Sequence, residues 1–293
     1  MPEIAERSWR SPDGLTLVAD DYAPAAGPAR APVVCLHGLT RNARDFDLLA
    51  PHIAGTGRRV LALDMRGRSR SAYDPSPANY NPLVYAGDVI ALMAQAGVSR
   101  AVFIGTSMGG LIAMTLAAMR PDLVAAAVLN DVGPELGKAG IARISAYVGR
   151  LPEAASWEEA EAIARNLNGQ ALPGLSNDDW ARFARRIFRR EGPGRLRLDY
   201  DPAISQAFKA APAAAPGPPP PDLWPMFAGL ALNRPLLLIR GETSDILEDG
   251  VAARMCAAAP LMKRIDIPGV GHAPTLDEPA AIDAIDDLLA EAP

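Results

Sequence analysis

The chain predicts an α/β fold: a doubly wound, mostly parallel sheet flanked by helices and interrupted by a helical insertion. Three observations carry this. Short apolar strings recur at regular spacing and are continuous rather than alternating, the pattern of strands buried on both faces. Stretches with 3.6-residue apolar periodicity lie between them, as in strand–helix–strand units. The rhythm stops near Pro134 and resumes near 231, which sets off 134–230 as an insertion on a core of 1–133 and 231–293.

"LTLVADDY" (15–22) partly alternates and reads as an early strand. "PVVCLHG" (32–38), "RVLALDMRG" (59–67), "AVFIGTS" (101–107), "AAAVLNDVG" (125–133), "PLLLIRGE" (235–242) and "KRIDIPGVGH" (263–272) read as the buried strands. Val84, Tyr85, Val89, Leu92, Met93 and Ala96 form one helical stripe, stopped by Gly97. Leu111 to Met119 forms another helix, closed by Pro121, and Ile282, Ile285, Leu288 and Leu289 share a face of the C-terminal one. In the insertion, Ser156 to Glu159 and Ser176 to Asp179 read as capping boxes opening two helices. The second carries Trp180, Phe183, Ala184, Ile187 and Phe188 on one face. Its other face, with Arg182, Arg185, Arg186, Arg189 and Arg190, reads as solvated, or alternatively as an anion-attracting rim. "PAAAPGPPPP" (212–221) reads as a stiff connector.

A net charge of −5 argues against a nucleic-acid partner, which requires a basic face. Cys35 and Cys256 offer no disulfide framework, and the three histidines, His37, His52 and His272, show no metal-binding spacing. No apolar stretch approaches the ~18 residues of a membrane span, and the N-terminus lacks a signal-peptide core, so a cytoplasmic protein without membrane partners is expected.

Gly105-Thr106-Ser107-Met108-Gly109 satisfies G-x-S-x-G between a predicted strand and a predicted helix, the context in which the pattern marks a nucleophile. Serine needs a base within reach, and His272 follows the last predicted strand at the same end of the sheet. His52 reads as a surface or packing residue, and His37 as shaping its loop. Asp245, in "GETSD", is expected to orient His272. It follows the preceding strand and gives the chain order Ser…Asp…His. Asp131, which also follows a strand, is the competing acid and reads instead as a cap at the hinge. The N–H groups of Leu39 and Met108 are the expected oxyanion donors.

Together, "LHGLT", "DMRGRSRS", "GTSMGG", "NDVGP", "RGETSDIL" and "GVGHAPTL" resemble the α/β-hydrolase superfamily over nearly the whole chain. The resemblance implies an eight-stranded type of sheet, a cap domain between the strand ending near Asp131 and the one starting near Pro235, and a Ser107–Asp245–His272 triad that needs neither cofactor nor metal. One departure is Ser69, which stands where relatives usually carry glycine. The leading expectation is a serine esterase acting on a small-molecule carboxylic ester. Its acyl pocket would lie under the cap among Trp157, Trp180, Phe183 and Phe227. The alternatives are C–C bond (diketone) or lactone hydrolysis on the same triad, or a catalytically silent ligand-binding protein.

Overall fold

The computed structural model describes residues 3–206 and 222–293, so the proline-rich connector at 212–221 lies outside the described residues. The main sheet comprises β1 (Ile4–Arg10), β2 (Thr16–Tyr22), β3 (Val33–Leu36), β4 (Val60–Asp64), β5 (Ala101–Thr106), β6 (Val124–Asn130), β10 (Leu236–Gly241) and β11 (Met262–Ile267). The spatial order of its eight strands is β1-β2-β4-β3-β5-β6-β10-β11. β1 and β2 form an antiparallel hairpin and β2 pairs antiparallel with β4, while every pairing from β4 to β11 is parallel.

Continuous apolarity has the predicted cause. Every residue of β3, β4, β6 and β10 is buried, because helices cover both faces. Along each strand alternate residues enter different cores. Val34, Leu36, Leu61, Leu63, Phe103 and Leu129 pack on the side of α2 (Pro82–Gln95) and α3 (Met108–Met119). Val33, Cys35, Val60, Ala62, Val102 and Ile104 pack on the side of α1 (Leu49–Gly55) and the C-terminal helix (Pro279–Glu291). Crossover helices bring the C-terminal ends of the parallel strands to one edge, where the loops that follow them meet.

β1 has no counterpart in the sequence reading. "IAERSWR" is an edge strand that buries Trp9 and leaves Ile4 56% exposed, so its apolar content is too low to signal a buried strand.

The insertion carries α4 (Lys138–Tyr147), α5 (Trp157–Asn168) and α6 (Asn177–Ile187), with α7 (Trp224–Ala231) where the chain returns to the core. It is not purely helical as expected. β7 (Glu153–Ala154), β9 (Arg195–Leu198) and β8 (Phe188–Gly192) form a three-stranded antiparallel sheet. α6 ends at Ile187 because Phe188 turns to extended backbone, so Arg189 and Arg190 belong to a strand. Arg186 is not solvated but 2% exposed, clamped between Asp47 and Asp277 of the core. Both carboxylates hydrogen-bond the guanidinium there, which offsets the cost of taking its charge out of water. Ser176 and Asp179 form the expected capping box, whereas Glu159 turns to the Ala155 N–H while Ser156 accepts from Glu159.

Candidate active site

The turn from β5 into α3 is set by close backbone approach. A Cβ at Gly109 would stand 2.0 Å from the Leu36 carbonyl oxygen, so only glycine lets α3 start this near the strands. The turn leaves Ser107 at φ 51°, ψ −112°, a left-handed backbone that costs a serine ~1–3 kcal/mol. The sheet holds it there through the Ser107 N–H, which donates to the Asn130 carbonyl at 2.9 Å. Ser69, the departure from the usual glycine, likewise has φ 47°, and its hydroxyl accepts from Arg44 at 3.0 Å.

His272, in the loop after β11, lies with Nε2 2.8 Å from Ser107 Oγ and Nδ1 2.7 Å from Asp131 Oδ2. The acid beside His272 is therefore Asp131 and not Asp245. Asp131, one residue past β6 and at φ 56°, is fully buried. Its Oδ1 accepts from the Gly241 N–H at 2.8 Å and its Oδ2 from the Ser244 hydroxyl at 2.6 Å. The loop after β10 thus turns Ser244 inward, where its oxygen also accepts from Ile246 and Leu247 N–H. That leaves Asp245 facing α4, where it forms a bidentate pair with Arg143, both bonds 2.7 Å.

Asn130 escaped the sequence reading. Its Nδ2 donates to Thr106 Oγ1 at 3.0 Å and to the Pro274 carbonyl at 2.9 Å, tying the serine turn to the histidine loop. His52 is a surface residue paired with Asp286, as expected. His37 is fully buried under the loop that follows β3. Its Nδ1–H donates to the Gly38 carbonyl at 2.7 Å and its Nε2 accepts from Met65 N–H at 3.1 Å. Burial, reinforced by Arg68, pushes its pKa down to about 3.

That burial predicts acid sensitivity. The unfolded chain protonates His37 near ~6.5 while the folded chain keeps it neutral, so protons favour unfolding. Its contribution is intact above that pH and is lost as pH falls, by about 2 kcal/mol at pH 5. Urea unfolding of wild type and His37→Gln at pH 7 and pH 5 is expected to show a smaller acid loss in the variant. Equal losses would contradict the assignment.

Beside Ser107 lies a cavity of about 90 Å³, lined by Gly38, Leu39, Phe46, Ile144, Leu172, Phe183 and His272 among others. Leu39 thus borders the cavity. Met108 opens α3, where first-turn N–H groups have no intrahelical acceptor. Of the four aromatic candidates, Phe183 lines this cavity. Trp180 and Phe227 are core residues, Trp180 edge-on to Phe183 at 5.4 Å and Phe227 fully buried on α7, which packs on α3. Trp157 lies under the Arg185 guanidinium at 4.6 Å, outside the cavity lining. Past His272 opens a second cleft of about 590 Å³, bordered by Arg143, Tyr147, Gln170, Asp245 and His272.

The family model described as alpha/beta hydrolase fold matches residues 31–279. The chain belongs to this family. Within the alpha/beta hydrolases, the 3-hydroxybutyrate-oligomer hydrolase of Cupriavidus necator is 35% identical over 279 residues, 93% of this chain and 92% of that protein. An esterase of Mycobacterium tuberculosis is 28% identical over 259 residues, 85% of this chain and 79% of that one. The crystal structure of an alpha/beta hydrolase from Novosphingobium aromaticivorans shares 47% identity at a TM-score of 0.90, covering 99% of both chains. The chain is accordingly an enzyme of the hydrolase class. Among the described residues no helix is long and apolar enough to cross a membrane.

Proposed function

We propose that this alpha/beta hydrolase is a serine esterase for short-chain carboxylic esters, working through Ser107, His272 and Asp131. The observation that carries the proposal is the unbroken hydrogen-bond line from Ser107 Oγ through both imidazole nitrogens to Asp131. Asp131 accepts the Nδ1–H and thereby leaves Nε2 free to take the serine proton. Ser107 attacks the carbonyl carbon. The oxyanion rests on the N–H groups of Leu39 and Met108, donors of a kind worth about 3–4 kcal/mol each where one has been removed. Protonated His272 gives its proton to the leaving alcohol oxygen. Water, deprotonated by His272, then attacks the acyl-enzyme, releasing the acid and restoring Ser107. The chemistry calls on no cofactor.

Acyl length follows from space. A cavity of about 90 Å³ is small and suits a short acyl chain. The C. necator relative, named for 3-hydroxybutyrate oligomers, points to a four-carbon unit. C–C and lactone hydrolysis use the same residues and are separated by substrate, whereas a silent binding protein would turn over no activated ester. A panel of p-nitrophenyl esters with a ring-fission diketone alongside tests all of these. Turnover is expected to peak at acetate to butyrate and to fall at least about tenfold at octanoate, a difference of ~1.4 kcal/mol. Phe183→Ala is expected to narrow that gap by enlarging the cavity. A gap unchanged in a folded variant would remove Phe183 from the acyl pocket.

A further inference from the structure

We infer that the cleft beyond His272 receives the alcohol half of the ester, and that Arg143 binds a carboxylate carried on it. The preferred substrates are then esters whose alcohol is a hydroxy acid. This rests on the esterase reading and deepens it.

The proton path fixes which half of the ester goes where. His272 Nε2 must hand its proton to the leaving oxygen, so that oxygen lies within hydrogen-bond reach of the imidazole. The small cavity beside Ser107 has an apolar wall at Phe46, Ile144, Leu172 and Phe183 that suits the acyl chain, and its cation, Arg41, is held by three bonds to Asp45 and lies over the Phe183 ring. His272 and Tyr147 border both spaces. The alcohol chain, starting beside His272, therefore continues past Tyr147 into the larger cleft. That space is the larger of the two. It holds about 590 Å³, and Arg143, Asn166, Gln170, Thr243 and Asp245 are polar members of its wall.

Arg143 is poised rather than spent. Its Nε and Nη2 meet Asp245 at 2.7 Å, and among the described residues its other N–H groups have no partner. A guanidinium carries five such donors in a planar fork that matches a carboxylate. The side chain is 31% exposed, so a ligand reaches it. Its position is also fixed relative to the triad. The Gly137 N–H donates to the Ile246 carbonyl at 2.8 Å and the Gly140 N–H to the Asp245 carbonyl at 3.2 Å, which seats α4 on the loop that holds Ser244 against Asp131. A Cβ at Gly137 would stand 2.2 Å from that same Asp245 oxygen, so the contact depends on glycine. The formal charges on the cleft wall are Arg143 and Asp245, with His272 added while it carries the proton. A substrate carboxylate consequently competes with Asp245 for one cation, and removing either member of the pair must act in opposite directions.

The test compares butyrate release from 3-(butanoyloxy)butanoate and from its methyl ester, which lacks the anion, with p-nitrophenyl butyrate as the neutral reference. In wild type the free acid is expected to exceed the methyl ester in kcat/KM by about tenfold or more, the scale of a charge-assisted bidentate contact. Arg143→Met is expected to bring that ratio towards one, mainly through KM for the acid. Asp245→Asn is expected to raise the ratio above wild type by lowering the same KM, a change in the opposite sense that a purely structural role would not produce. Should Arg143→Met fail to fold, the direction of the Asp245→Asn shift decides. A wild-type ratio near one, or a ratio that neither variant moves, overturns the inference. If wild type cleaves p-nitrophenyl butyrate but neither 3-(butanoyloxy)butanoate nor its methyl ester, the inference falls and the esterase reading stands. If it cleaves none of the three, the esterase reading falls and the inference with it.

Discussion

Ser107→Ala is expected to lower ester turnover by about four to six orders of magnitude, the range seen when the nucleophile of such a triad is removed. The protein itself should remain folded. Alanine keeps the Cβ, so the backbone at φ 51° is no more strained than before. What is lost is one hydrogen bond, from Ser107 Oγ to His272 Nε2, on the wall of an open cavity where water replaces it. A bond of that kind contributes a net ~0.5–1.5 kcal/mol, or roughly 2–4 °C of melting temperature for each kcal/mol in a chain of this size. Turnover of p-nitrophenyl butyrate and a thermal melt on the same preparation check both statements. Retention of more than about a tenth of wild-type turnover would remove Ser107 as nucleophile.

The parallel strands of the core were legible because both their faces are covered, which turns burial into an uninterrupted apolar string such as "VVCL" or "VLALD". The meeting of Ser107 and His272 at one end of the sheet was legible because it depends on the strand–turn–helix context of the serine and on which end of the sheet a loop leaves. Strands whose burial is one-sided were not. β8 reads "FRREG", with a single apolar residue and no period, and β9 reads "RLRL", which alternates but over only four positions, the shortest run that marks a strand. Aromatic residues gave no means of telling core from cavity: Trp180 and Phe183 sit three positions apart on α6, yet Phe183 reaches the space beside Ser107 and Trp180 packs behind it. The acid was ambiguous for a sharper reason. Asp131 and Asp245 each follow a strand, and "GETSD" offers the more open turn. The deciding facts are non-local, since Arg143 occupies the Asp245 carboxylate from 102 residues away and Ser244 turns inward in its place. One local signal did exist. Aspartate is among the few residues that tolerate left-handed backbone, and Asp131, at φ 56° directly after β6, needs that tolerance to fold back under His272.

Exchanging each acid for its amide separates the two. Asp131→Asn is expected to lower turnover about 10⁴-fold, and Asp245→Asn to keep turnover of a neutral ester within about tenfold of wild type. The larger effect follows from which partners of Asp131 can change role. The Gly241 backbone N–H can only donate, so the amide oxygen stays on it and the amide nitrogen takes the place of Oδ2. That nitrogen then faces His272 Nδ1 and the Ser244 hydroxyl, whose oxygen already accepts from the Ile246 and Leu247 N–H groups and whose proton loses its carboxylate acceptor. To meet a donor, Nδ1 must give up its proton, which moves to Nε2. The imidazole now presents N–H to Ser107 Oγ and cannot take its proton, while the Ser244 hydroxyl is left without its acceptor at a cost of about 1–3 kcal/mol of stability. That loss is smaller than the ~5 kcal/mol that a 10⁴-fold fall in rate represents. Asp245 has no such hold on the imidazole. Its carboxylate pairs with Arg143 at side-chain exposures of 32% and 31%, where an ion pair contributes about 0–1 kcal/mol. Turnover of p-nitrophenyl butyrate and melting temperature, measured on both variants, give the answer. A dead Asp245→Asn enzyme beside a working Asp131→Asn enzyme would mean that His272 draws on the Arg143-bound carboxylate during turnover, and the triad would have to be reassigned to Ser107, Asp245 and His272.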